Sequence, residues 1–133
     1  MTIKRSQEKP VNYPHIEEKF GKDLWERGVV ITYGDTIHCK NPHISPQIIA
    51  HEEIHVRQQL AFPGGPAAWW REYIRNDAFR LQEELEGHKH EASYVRAHVP
   101  NRRKRADAID YIHRSIASNY GGIITYEEAS RFI

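Results

Sequence analysis

Apolar side chains recur every three or four residues along most of this chain, and gather into short β-branched runs only near residues 28–39. Gly28-Val29-Val30-Ile31-Thr32-Tyr33 and Thr36-Ile37-His38-Cys39 flank Gly34-Asp35, which is turn chemistry, so a β-hairpin over 28–39 is expected. Ser45-Pro46 then supplies a helix N-cap and a proline at the first helical position. Ile48, Ile49, Ile54, Val56 and Leu60 give this helix apolar surface from Pro46 to about Leu60, and Pro63-Gly64-Gly65-Pro66 ends it. Trp69, Trp70, Tyr73 and Ile74 have the spacing of a short core helix within 67–76. Leu81, Leu85, His88, Ala92, Val95 and Val99 step by three and four through a long helix from about Ala78 to His98, broken by Pro100-Asn101. Ala106, Ile109, Ile112 and Ile116 mark another from about Arg103 to Ser118, stopped by Gly121-Gly122. Thr125-x-x-Glu128 is a capping box that opens a final turn or two.

Ahead of the hairpin the pattern weakens. Ile16 to Trp25 reads as a short helix or an extended lead-in, with Gly21 against the helix. Residues 1–14 are polar, contain Pro10 and Pro14, and are expected to form a flexible N-terminal arm before a single domain over 15–133. The fold class expected is α+β: mainly helical, with one small β-hairpin.

Composition narrows the chemistry. The 133 residues suffice for one domain with a modest core, and the net charge of +1 gives no global pull toward nucleic acid or a membrane. Cys39 is the only cysteine, which excludes an internal disulfide and a four-cysteine zinc site. No apolar run has the length of a membrane span, and the basic start Met1–Ser6 is not followed by the apolar core of a secretory signal. A cytoplasmic protein is expected.

Against this background one stretch stands out: His51-Glu52-Glu53-Ile54-His55, a His-Glu-x-x-His motif inside the first long helix. Residues four apart share a helix face, so His51 and His55 can hold one metal ion, with Glu52 placed to act on its water. The competing explanation is a chance match in a His- and Glu-rich chain, and context decides between them. A hydrolytic zinc site needs a third protein ligand. Glu84 shares a face with Leu81, Leu85 and His88 and is the first choice, with Glu83 and Glu86 behind it. His88 is a candidate either for a hydrogen bond to a ligand or for ligation itself. Tyr120, Tyr73 and His113 are candidates to stabilise an oxyanion, Tyr120 foremost. Arg102-Arg103-Lys104-Arg105 reads as a solvated helix start, with a phosphate contact as the alternative.

The order of these pieces resembles the gluzincin metallopeptidases, in several families of which the third zinc ligand opens a Glu-x-x-Ala stretch. Here Glu84-Leu85-Glu86-Gly87 has glycine for alanine, and His88 stands where an aromatic residue is expected. More narrowly, the chain is similar to a small phage and bacterial family of zinc peptidases. The matching pieces are Val30–Ile37, His51–Gln59, Trp70-x-x-Tyr73, Phe79-Arg80-Leu81 with Glu84-Leu85-Glu86, and the tail Tyr120–Ala129. The resemblance implies a minimal zincin-like domain that binds Zn2+ through His51, His55 and Glu84. It implies a hydrolase acting on a peptide or protein substrate, with Glu52 as general base. The alternative is a non-catalytic zinc-binding structural or interaction protein; a nucleic-acid partner through Arg102–Arg105 is disfavoured by the near-zero net charge.

Overall fold

Prolines, glycines and polar caps cut the chain where its hydrophobic pattern changes, and the elements follow those cuts. The computed structural model describes residues 2–120 and 122–133. In chain order the elements are β1 (Lys4–Ser6), α1 (Tyr13–Phe20), β2 (Ile31–Tyr33), β3 (Thr36–His38), α2 (Pro46–Ala61), α3 (Gly65–Arg75), α4 (Asp77–His98), α5 (Arg102–Asn119) and α6 (Tyr126–Phe132). This is a mainly helical α+β fold, as the pattern predicts. Among the described residues, no helix is long and apolar enough to cross a membrane.

Local chemistry explains the boundaries. Pro46 occupies the first turn of α2 behind Ser45, although the serine side chain makes no capping bond. Asn76 ends α3 and starts α4, where its side chain accepts from the Phe79 amide. Asn101 caps α5 in the same way through the Lys104 amide. Thr125 and Glu128 form both halves of the expected capping box. Of the expected Gly121-Gly122 stop, Gly121 lies outside the described residues. Helix α1 begins at Tyr13, earlier than expected, and ends where Gly21 leaves helical geometry at a φ of 123°.

The hairpin pairs Ile31 with His38 and Tyr33 with Thr36. Its turn has positive φ at Gly34 (61°) and at no non-glycine residue, the pattern of a type II′ turn. The N-terminal segment departs from expectation. Within the stretch expected to be a flexible arm, β1 pairs in parallel with β3, placing Arg5 opposite Ile37. Pro10 is buried, and so is Tyr13, whose hydroxyl accepts from the Trp25 amide. The free edge of β3 supplies backbone partners, and these require no apolar side chains in β1. A polar sequence therefore conceals the strand.

The apolar interior is split. One cluster joins α1, β2 and α3 through Tyr13, Ile16, Trp25, Ile31, Trp69 and Trp70. The other joins α4, α5 and α6 through Ala92, Ile112, Ile116, Tyr120 and Ala129, with Ile124 from the preceding loop. Helices α2 and α4 pack against each other, and their facing surfaces bury polar groups instead.

Gln59, fully buried on α2, ties the hairpin to this framework. Its Oε1 accepts from the Gly34 amide at 2.7 Å, and its Nε2 donates to the Thr32 carbonyl at 2.8 Å. Gln59→Leu keeps the bulk but leaves the Gly34 N–H unpaired. It should lower unfolding free energy by about 2 kcal/mol, read as a lower urea midpoint at unchanged slope.

Candidate metal centre

Helix geometry puts His51 and His55 on one face of α2, and the close packing of α4 brings Glu84 against them. The His51 and His55 Nε2 atoms are 3.1 Å apart. Glu84 places Oε1 2.5 Å from His55 Nε2 and Oε2 3.6 Å from His51 Nε2. Glu52 follows His51 around the helix and sits with Oε2 3.8 Å from His51 Nε2. All four side chains are buried. Of the expected residues, His51, Glu52, His55 and Glu84 are thus brought together.

The other glutamates go elsewhere. Glu83 accepts from the Trp69 indole at 2.9 Å, and Glu86 is exposed. His88 lies behind His51, with ring centroids 4.4 Å apart. Its Nδ1 is 3.1 Å from Glu91 Oε1 and its Nε2 is 2.9 Å from the Tyr120 hydroxyl. Tyr120 donates to Glu84 Oε2 at 2.6 Å. His113 is on a different face of the molecule, against the Tyr126 ring.

The outer nitrogens of both histidines are occupied. His51 Nδ1 is 2.9 Å from Glu91 Oε1, and His55 Nδ1 is 2.8 Å from Gln58 Oε1. Gln58 is itself held by donating to the Glu83 carbonyl at 3.1 Å. Since both partners accept, each Nδ1 donates outward, and the Nε2 atoms are the ones that face each other and Glu84. Thr32 on β2 donates to Glu52 Oε1 at 3.0 Å and fixes that carboxylate.

Does this set suit a metal? Zinc takes imidazole nitrogen and carboxylate oxygen tetrahedrally at about 2.0–2.2 Å, which separates neighbouring ligand atoms by roughly 3.4 Å. The 3.1 and 3.6 Å separations bracket that spacing, and the 2.5 Å His55–Glu84 contact is a tighter, charge-assisted hydrogen bond. Two imidazoles and one carboxylate, each with its outer atoms held, form a donor set that fits. His51 and His55 also form a compact group with Glu52, and His51 another with His88 and Glu91, but in the latter one carboxylate oxygen receives both Nδ1 atoms at hydrogen-bond distance.

Burial and charge push the two carboxylates apart. Burial raises the Glu84 carboxyl, but His55 and His51 outweigh it and hold Glu84 well below the usual range. For Glu52 burial prevails over the same two histidines, and its carboxyl is pushed up. Burial opposes the charged ring of His51, while the Glu84 and Glu91 carboxylates more than compensate and hold it well above the ordinary histidine value. A cavity of about 170 Å³ opens beside Glu52, His55 and Glu84, walled by Trp69, Trp70 and Tyr73.

Sequence reasoning missed Thr32, Gln58 and Glu91. Gln58 lies three residues after His55 and Glu91 seven after Glu84, both spacings that return to the same helix face, so periodicity held the signal. For Thr32 the signal was only its place in a strand facing the motif helix. Compared with known proteins, the chain matches no family model, no curated protein and no solved structure.

Gly87 has a steric role here. A Cβ at this position would lie 2.9 Å from His51 Nε2 and 3.0 Å from its Cε1. Ordinarily Gly→Ala within a helix gains about 1 kcal/mol. Gly87→Ala should instead lower stability by about 1–3 kcal/mol by forcing a held ring aside, seen as a lower melting temperature and a shifted His51 imidazole resonance.

Proposed function

We propose that this chain is a zinc-dependent hydrolase of peptide or amide bonds, related to the gluzincin metallopeptidases. The convergence of His51 Nε2, His55 Nε2 and the Glu84 carboxylate carries this reading. His51, His55 and Glu84 would hold the zinc ion, which when bound would supply Lewis-acid activation of water and of a scissile carbonyl. Glu52 accepts the proton of the attacking water and returns it to the leaving amine. Its raised affinity for protons suits that exchange, while Glu84 stays anionic as a ligand should. Thr32 keeps Glu52 from swinging away.

The oxyanion role expected of Tyr120 passes to Tyr73 in this proposal. Both hydroxyls approach Glu84, but Tyr73 lines the cavity beside Glu52 and Tyr120 does not. Tyr120 then acts by holding Glu84. The cavity of about 170 Å³ favours an extended peptide or a small amide over a folded protein surface. A cytoplasmic setting belongs to the same reading, supported by a lone, buried thiol at Cys39.

A second reading, a non-catalytic zinc-binding structural or interaction protein, is favoured by the enclosure of the site, where Glu52 is only 7% exposed. Retention of a base held at this position favours the enzyme.

Metal analysis combined with a peptide-library digest separates them. The wild-type protein should carry about one zinc per chain and cleave, and Glu52→Gln should keep the metal while losing at least about a hundredfold in rate. A metal-loaded wild type that cuts nothing would leave the structural reading. His51→Ala and His55→Ala should each lose the zinc; full metal content in either variant would displace the site.

Glu91→Gln tests the outer contacts. It preserves shape but weakens the hold on the His51 imidazole, and zinc affinity in a chelator competition should fall about 10- to 100-fold. An unchanged affinity would remove Glu91 from the metal centre.

A further inference from the structure

The basic run at the start of α5 has no part in the metal centre. Its first turn, Arg102-Arg103-Lys104-Arg105, contains no acidic residue. Four cations thus stand at the end of a helix whose dipole is already positive, an arrangement that repels itself. Two of them, Arg102 and Arg105, join Arg96 of α4 around a cavity of about 510 Å³ that is also lined by Asp110, His113 and Tyr126.

Among the described residues, the arginines paired with side-chain carboxylates are Arg27, Arg75, Arg80 and Arg114, and none of these is a cavity arginine. Arg96 donates through one Nη2 to the Ile133 carbonyl, and Arg105 through Nη1 to the Val99 carbonyl at 2.9 Å. Each retains further donors. The one carboxylate of the cavity, Asp110, is occupied by Arg114 at 2.8 Å and by the Tyr126 hydroxyl. His113 adds an independent sign. It is 9% exposed, and its Nε2 is buried without a hydrogen-bond partner. A buried imidazole nitrogen without a partner is costly.

We propose that this cavity between α4, α5 and α6 is a binding site for a phosphate group, held by Arg96, Arg102 and Arg105 with His113 Nε2 as an additional donor. Guanidinium forks match phosphate oxygens in geometry and charge, and the α5 dipole adds to the attraction. A free phosphate monoester and a nucleic-acid backbone present the same group. The site stands independently of the hydrolase reading.

The test is a titration of the full chain with inorganic phosphate at constant ionic strength, following the arginine side-chain and His113 ring resonances by NMR. Saturable shifts at Arg102, Arg105 and His113 are expected. Arg102→Ala and Arg105→Ala should each weaken binding about tenfold or more, as should His113→Phe, while Lys22→Ala leaves it unchanged. Arg102 is exposed, so its variant keeps the proposal testable even if His113→Phe fails to fold. A short single-stranded oligonucleotide that competes for the same resonances identifies a backbone phosphate; phosphate binding without competition identifies a free monoester. Either outcome supports the site. Absence of saturable shifts, or shifts indifferent to Arg102→Ala and Arg105→Ala, overturns it.

Discussion

Between α2 and α4, ionisable groups can be buried because each is matched to another. His51, Glu52, His55, Glu84, His88 and Glu91 all lie between two apolar clusters, where an unpaired charge would cost several kcal/mol. The solution is a chain of contacts in which each acid faces a base: Glu84 against both motif histidines, Glu91 against His51 and His88. Truncating one member strands its partners. The polar layer also explains the split interior, since the two clusters meet the layer from opposite sides. Trp69 reaches His55 from one, with ring centroids 5.6 Å apart, and Tyr120 reaches Glu84 from the other.

This pairing constrains sequence beyond the histidine motif. Glu84, Gly87, His88 and Glu91 fall on a continuous stripe of α4, and each answers a different demand of α2. Glu84 supplies charge, Gly87 removes bulk, and Glu91 orients a ring. The glycine and histidine that depart from the gluzincin pattern are therefore parts of one packing solution. His51 lies on the bare backbone of Gly87, and His88 lies beside it with Glu91 shared between the two.

Much of the fold was legible because its signals were local. Proline at the start of α2 and the Thr125 capping box act within one helical turn, so the sequence displays them directly. The β1 strand was hidden because its partner, β3, is some thirty residues away and contributes only backbone. At the site, residues that share a helix face were readable: His51 with His55, and Glu84 with His88. Glu84 was also expected to meet the motif histidines, but the other cross-element contacts were not readable. Thr32 meets Glu52 across twenty residues and Tyr120 meets Glu84 across thirty-six, distances at which no periodicity operates.

The hairpin edge has a consequence for recognition. A carbonyl oxygen has two lone pairs, and at Thr32 both are used, by the Gln59 amide at 2.8 Å and the Trp70 indole at 3.0 Å. The middle of β2 therefore has no acceptor left for a visiting strand. An extended chain laid along β2 would meet side chains at this point and no free backbone acceptor.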